Sequence, residues 1–434
     1  MKAPFLLLAL VGAAVAAEPA RPIIPAHTFL LKDYNPAADG ITPATEAFRR
    51  VLSICARSGG GTLVVPAGRY LTGPLDLCSN LNLRLEAGSV ILFIQDFAAY
   101  AGEDQEPRPL MQAVHCHDVL ISGAGTIDGQ GQPWWEKQRK FTAEARARRD
   151  KSDTEIPRPH MVVFDRCERV RLEGVTLTNS PRFHLVPMRC KDVTIDGVTI
   201  LAPEDSPNTD GIDPSVSSRV LITRCRIDVG GDDIALKAGQ PNAGPCTDVT
   251  VTDCTFLHGH GLSIGSETTE GVRNLTVSHC TFDGTETGIR LRSERGRGGL
   301  VQNLTYSDLT MKNVGQAIVI TSYERRLPFP KQVDAPAPVA DTTPFWRNIR
   351  FRNVTAVDCT KDAGLIIGLP EMPAQDITLE NVSITAPAGL RVRNARNVSL
   401  VNTRIIAAKG EPLLIESDVD NLRQSGSPPA PAKH

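Results

Sequence analysis

A short pattern of residues recurs along most of the chain, and this repetition limits the possible folds more than any other feature. Each unit begins with Asn, Asp or Arg, continues with two aliphatic residues separated by one other residue, and ends in apolar positions. The first aliphatic residues of six consecutive units lie 23 to 29 positions apart, at Val170, Val193, Val220, Val249, Leu275 and Leu304. Apolar and polar residues alternate within each unit, which is typical of a strand with one buried face.

Short strands that return at this interval, always with one apolar side, predict an all-β chain wound as a single-stranded parallel β-helix. Successive coils would stack at the strand spacing of about 4.8 Å. A propeller is the alternative, but each of its blades needs four strands and these units are too short for that. We therefore predict a single solenoid domain over residues 18–434.

Several segments depart from the repeat. Residues 1–17 combine a positive start, a short apolar stretch and a small-residue cleavage site, which predicts a signal peptide and a secreted or periplasmic protein. Ala47, Val51 and Cys55 have helical spacing, so we predict an amino-terminal capping helix within a capping region of about 28–75. Inserted loops are expected at about 130–160 and 325–345, where they could build the walls of a binding cleft.

Charge and composition exclude some classes of partner. The 47 Lys and Arg residues are balanced by 49 Asp and Glu residues, so no overall positive field exists to bind nucleic acid or an anionic membrane. No apolar segment is long enough to span a bilayer. We expect a monomer that binds neither nucleic acid nor membranes.

Polar motifs that a strand would not select lie on the same period as the coils. They are Asn208-Thr209-Asp210, Gly231-Asp232-Asp233, Gly259-His260-Gly261, Arg290-Leu291-Arg292 and Ser322-Tyr323-Glu324. Groups separated by whole coils lie above one another on one face of a solenoid, so these motifs should converge. Carboxylates that lie close together raise each other's pKa, which lets one act as an acid while another remains a base. Arg is suited to binding a substrate carboxylate through two hydrogen bonds.

These motifs resemble those of glycoside hydrolase family 28, the polygalacturonases and their relatives. The matching stretches are 206–214 (SPNTDGIDP), 259–267 (GHGLSIGSE), 288–293 (GIRLRS) and 322–324 (SYE), with 38–42 and 66–70 near the amino terminus. The resemblance implies a right-handed parallel β-helix that cleaves α-1,4-galacturonide bonds of polygalacturonate or its oligomers. It also implies inversion at the anomeric carbon, without a cofactor or metal ion.

The resemblance also implies roles for individual residues. One Asp of the pair Asp232 and Asp233 would protonate the leaving oxygen, and the other would activate water together with Asp210. His260 would tune the acid. The predicted substrate-binding residues are Asn208, Arg290, Arg292 and Tyr323, of which the last three would bind the galacturonate carboxylate.

Two positions depart from the family pattern. Arg292 stands where the family usually has Lys, and a gapless alignment places Gly231 at the position of the expected acid. A shift of one residue would instead restore Asp232 and Asp233 as the acid and the base. The loss of the acid would leave a pectin-binding relative with little or no activity. A pectate lyase on a similar solenoid, which would need Ca²⁺, is the third possibility.

Overall fold

The computed structural model describes residues 18–102, 106–148, 155–324, 327 and 334–427. The predicted signal peptide lies outside the described residues, as do parts of the two predicted insertions. Within the described ranges, no helix combines the length and apolar character needed to cross a bilayer.

The chain forms the predicted right-handed, single-stranded parallel β-helix, and every described strand pair is parallel. Two rows of strands on successive coils form one large sheet, 24-stranded within the described residues. Its strands are Thr28–Leu30, Asp39–Pro43, Gly61–Val65, Gly68–Thr72, Leu81–Leu85, Ser89–Phe93, His117–Gly123, Thr126–Asp128, Glu168–Glu173, Thr176–Thr178, Lys191–Asp196, Thr199–Leu201, Ser218–Thr223, Arg226–Asp228, Cys246–Thr252, Thr255–Phe256, Val272–Ser278, Thr281–Asp283, Leu300–Lys312, Phe345–Val357, Ala374–Ala386, Ala395–Val401, Arg404–Ala407 and Val419–Ser425.

The opposite face of the solenoid consists of two narrow sheets in line with each other. The first contains Leu75–Asp76, Met111–Val114, Val162–Asp165 and Leu185–Met188. The second contains Ile234–Leu236, Leu262–Ile264, Thr287–Arg292, Gln316–Thr321, Asp362–Ile367, Ala388–Arg393 and Leu413–Ile415. The coil between them forms no regular strand and joins them through isolated bridges at Ile212 and Ser215.

The register of the large sheet follows the sequence repeat. Val170 pairs with Val193, which pairs with Val220, and the ladder continues through Val249 and Leu275. These side chains are at most 1% exposed and lie in a core that extends along the solenoid. The repeat therefore encodes a continuous apolar ladder in which each coil buries the next.

The backbone conformation explains why Asn or Asp so often opens a repeat unit. Asp248, Asn274 and Asn303 all adopt left-handed φ angles between +55° and +60°, which Asn and Asp tolerate better than most residues. The Asn274 amide donates to Asp248 Oδ1 at 2.9 Å, and the Asn303 amide donates to Asn274 Oδ1 at 3.2 Å. The same residue type thus turns the chain and links neighbouring coils.

Two α-helices lie outside the coils. Helix α1, Thr45–Arg57, buries Phe48, Val51 and Leu52 against the first coils, which confirms the predicted amino-terminal cap. Helix α2, Gln132–Arg148, lies within the region predicted as the first insertion. The Trp135 indole N–H donates to Ser180 O at 3.0 Å, which attaches α2 beside the narrow sheets.

Candidate active site

The predicted site lies at the coil that interrupts the narrow sheets. Ile212 is fully buried in the core, and the nearby Asp210 and Asp213 are almost fully buried as well. Of these two acids, Asp210 lines the cleft. Asp210 Oδ1 accepts a hydrogen bond from the backbone N–H of Asp232, one coil further on, at 3.0 Å. The stacking of two coils therefore brings two of the predicted acids together, although 22 residues separate them.

Asp232 is surrounded by cations. Its carboxylate accepts hydrogen bonds from Arg290 Nη2, from Arg292 Nη2 at 3.2 Å and from the Ser263 hydroxyl at 2.9 Å. Burial alone would raise the pKa of Asp232, but Arg290, His260 and Arg292 outweigh it and hold the pKa well below its usual value. These neighbours therefore favour the ionised form of Asp232.

The Gly259-His260-Gly261 motif is a tight bend that presents the imidazole to this carboxylate. Gly261 has a φ of +76°, and a Cβ there would lie 1.9 Å from Thr287 O, so only Gly fits. His260 Nδ1 lies 3.4 Å from Asp232 Oδ1, and His260 Nε2 lies 3.5 Å from Glu286 Oε2.

Arg290 and Arg292 reach Asp232 because of strand alternation. In strand Thr287–Arg292, Ile289 and Leu291 are fully buried in the core, so the two intervening guanidinium groups face outward. Arg292 also contacts Glu324 Oε1 at 3.2 Å. The motif Arg-Leu-Arg is thus a strand segment with a cationic outer face.

Asp233 does not lie beside Asp232 in the cleft. It is fully buried, and its Oδ2 accepts from the backbone N–H of Gly261 at 3.0 Å. Burial raises its pKa well above the usual value. Of the two acids that the sequence left open, Asp232 faces the cleft and Asp233 lies beneath the Gly259–Gly261 bend.

Lys237 is a central group that the sequence reasoning did not identify as functional. Its Nζ binds Asp213 and lies 3.1 Å from Asp210 Oδ2, and it lies 4.0 Å from the centroid of the Phe183 ring. Burial would lower its pKa, but Asp213 and Asp210 raise it. Strand alternation after the buried Leu236 was the available signal for its outward orientation.

Asp210, Asp232, Lys237 and Arg292 line one cleft with a volume of about 530 Å³, whereas His260 lines a neighbouring cavity with Glu286. The walls of the cleft are Glu155, Arg182, Phe183, Asn208, Asp210, Asp232, Lys237, Gly265, Ser266, Glu267, Arg292, Arg297 and Glu324. A cavity of this size suits a short stretch of a larger ligand. Glu155, Arg182, Glu267 and Arg297 are further wall residues that the coil-period motifs did not single out as site residues.

Two predicted binding residues have partners within the protein. The Asn208 amide donates to Glu155 Oε1 at 2.5 Å in the cleft wall. The Tyr323 hydroxyl donates to Asp334, and its ring packs beside Val319 and Leu365, outside the cleft lining. From the Ser322-Tyr323-Glu324 motif it is Glu324 that lines the cleft, and the predicted contact of Tyr323 with substrate stays a prediction.

Comparison of the sequence with models of known protein families gives one match that covers both the solenoid and the site. The sequence model described as "Glycosyl hydrolases family 28" matches residues 55–405, which include every residue of the cleft. The chain belongs to glycoside hydrolase family 28. It is a glycoside hydrolase by this membership, and the resemblance inferred from the sequence motifs is confirmed.

Individual family 28 relatives resemble the chain over most of its length. An "Endo-polygalacturonase" of Pectobacterium parmentieri is 30% identical over 382 residues, which cover 82% of this chain and 88% of that protein. The exopolygalacturonase structure of Thermotoga maritima has a TM-score of 0.72 at 28% identity and covers 88% of this chain and 94% of that one. The polygalacturonase structure of Erwinia carotovora ssp. carotovora has a TM-score of 0.68 at 26% identity, with coverages of 95% and 99%.

Gly231, the departure from the family 28 pattern, faces Asp210. A Cβ at position 231 would lie 2.2 Å from Asp210 Oδ1 and 2.9 Å from the Asp210 backbone nitrogen. A side chain could be added there only if Asp210 moved. Among the described residues, no group of three or more His, Cys, Asp or Glu side chains is arranged to hold a metal ion.

Proposed function

We propose that this family 28 glycoside hydrolase cleaves α-1,4-galacturonide bonds of pectic polysaccharide. The observation that carries the proposal is the meeting of Asp210 and Asp232 in one cleft beside Arg292 and Arg297. The two carboxylates are suited to acid and base catalysis, and the guanidinium groups are suited to the substrate's carboxylates. The polygalacturonase names of the relatives support the same substrate class.

We further propose single displacement with inversion. Asp232, which its cationic neighbours keep ionised, activates the attacking water as the general base. Asp210 is the second carboxyl in the cleft. In the substrate complex its Oδ2 carries the proton that is donated to the leaving oxygen, Lys237 pairs with Asp213 alone, and the Asp232 backbone N–H holds Asp210 Oδ1. Asp233 supports the Gly259–Gly261 bend and has no contact with substrate in this scheme.

The proposal is tested by incubating the full-length protein with de-esterified polygalacturonate and measuring new reducing ends. We expect saturated products whose release does not change when a chelator is added. Binding of polygalacturonate without new reducing ends would instead identify a non-catalytic pectin-binding protein. Unsaturated products that disappear with a chelator would identify a lyase.

Gly231→Asp tests whether the chain lacks an acid at position 231. We expect turnover on polygalacturonate to fall, because the new side chain displaces Asp210 and adds a carboxylate beside it. Gly231→Ala introduces the same steric conflict without the charge and should also lower turnover. A rise in turnover for Gly231→Asp alone would show that the natural protein lacks its acid, contrary to the roles proposed for Asp210 and Asp232.

We also propose that the protein is exported, because the sequence of residues 1–17 has the features of a signal peptide. Amino-terminal sequencing of protein from the periplasm or the medium should begin near Ala17 or Glu18. An intracellular protein that retains Met1 would contradict this.

A further inference from the structure

The cleft is asymmetric about the two proposed catalytic carboxylates. Towards the carboxyl terminus its lining continues over several coils, through Arg292 and Arg297 to Glu324. Towards the amino terminus the lining ends at Arg182, one coil before Asp210, and at Glu155, two coils before it. At the strand spacing this end lies only roughly 10 Å from Asp210.

Three hydrogen-bonded side chains, Glu155, Arg182 and Asn208, form a barrier at the amino-terminal end of the cleft. Glu155 follows the α2 insertion, and its two carboxylate oxygens bind different coils. Oε1 accepts from the Asn208 amide at 2.5 Å, and Oε2 accepts from Arg182 Nη2 at 2.8 Å. One acidic side chain therefore connects the insertion to both coils at the mouth of the cleft.

Hydrogen bonds of the neighbouring residues Ile156 and Arg158 hold the segment that carries Glu155 in place. The Arg158 side chain is fully buried, and its Nη1 donates to Pro181 O at 2.9 Å and to Pro207 O at 2.6 Å. The backbone N–H of Ile156 donates to Gln138 Oε1 of helix α2 at 2.9 Å. A polar chain would have to displace several buried or charge-assisted hydrogen bonds to pass through this end, which is costly.

We propose that the barrier of Glu155, Arg182 and Asn208 makes this protein act at chain ends, so that it binds one terminus of a galacturonide chain and releases short products. The terminal sugar would lie against the barrier, where the carboxylate and the amide can hydrogen-bond its free hydroxyl groups. The rest of the chain would extend towards Arg292 and Arg297. This inference deepens the proposed function and rests on it.

The test compares bond cleavage with viscosity and product length, using full-length protein and long de-esterified polygalacturonate. Removal of chain ends leaves the polymer long, whereas interior cuts shorten it at once. We expect mono- or digalacturonate from the earliest times, with little loss of viscosity per bond cleaved. Oligomers of many sizes with a steep early loss of viscosity would overturn the inference while leaving the hydrolase function intact. Failure to form any reducing ends would overturn both.

A double variant tests the barrier itself. Glu155→Ala with Asn208→Ala should raise the viscosity loss per bond cleaved roughly tenfold and add longer products, since the end of the cleft is opened. This ratio does not depend on how much protein is folded. Glu168→Gln is the matched control, because Glu168 lies on the large sheet and contacts Arg169 and Lys191. An unchanged ratio in the double variant would overturn the role assigned to the barrier of Glu155, Arg182 and Asn208.

Discussion

Asp232→Asn should lower turnover on polygalacturonate by about 10²- to 10⁴-fold, the usual contribution of a general base. Asn cannot accept the proton from water, so the chemical step loses its base. The free energy of unfolding should also fall, because Arg290 and Arg292 lose the negative charge of their buried partner. The Asn oxygen can still accept hydrogen bonds from Ser263 and Arg290, and Arg292 keeps its ion pair with Glu324.

The measurement is the rate of reducing-end release at saturating substrate, together with denaturant unfolding of both proteins. Asp228→Asn is the matched control because Asp228 ends the strand just before the turn that holds Asp232, and its Oδ1 lies 2.8 Å from His258 Nδ1. The control should keep near-normal turnover. Turnover within a few-fold of the natural protein for Asp232→Asn would refute the role proposed for Asp232.

Lys237→Met should have the largest effect on stability, a loss of about 3–5 kcal/mol in the free energy of unfolding near neutral pH. The Lys237 ammonium lies between Asp210 and Asp213, which are almost fully buried. Without it, two carboxylates face each other with no cation between them. Turnover should also collapse, because Asp210 loses the partner that fixes its position.

The loss of stability in Lys237→Met should depend on pH. Removing the cation raises the folded-state pKa of Asp213 further above the unfolded value of about 3.9, because Lys237 is the neighbour that lowers it. A group with a raised folded pKa destabilises the protein once the pH rises through that pKa, so the deficit should shrink as the pH falls. Asp213 already shows the tendency, since burial raises its pKa even with Lys237 present.

Denaturant unfolding of Lys237→Met and the natural protein at several pH values measures this deficit directly. Lys191→Met serves as the control, because Lys191 is half exposed and lies 3.7 Å from Glu168. An exposed pair of this kind contributes about 0–1 kcal/mol, so the control should lose little stability at any pH. A deficit that stayed constant between neutral and acidic pH would contradict the proposed pairing of Lys237 with Asp210 and Asp213.

The sequence predicted the solenoid well because its repeat records one physical requirement many times. Val193, Val220 and Val249 each had to be apolar to cover the coil before, and the structure pairs them in that order. The convergence of Asp210, Asp232, His260 and Arg290 followed from the same period. Any residues separated by whole coils on one face must meet, whatever their identity.

The direction in which individual side chains point could not be predicted from the sequence as well as the fold could. Asp232 and Asp233 are adjacent and chemically identical, yet the first faces the cleft and the second lies buried under Gly261. A period of whole coils cannot distinguish two neighbours in a turn, because turns do not alternate as strands do. Tyr323 likewise shared the period but turned towards Asp334 instead of the cleft.

The amino-acid order alone determined the coil, its apolar ladder and the face on which the polar motifs gather, since these depend on spacing that recurs along the chain. Only the tertiary structure decided that Lys237 lies between Asp210 and Asp213 and that Glu155 reaches Asn208 and Arg182 from an insertion. Such contacts join segments that share no period. Their positions are set by packing and charge in the folded molecule, which no local pattern contains.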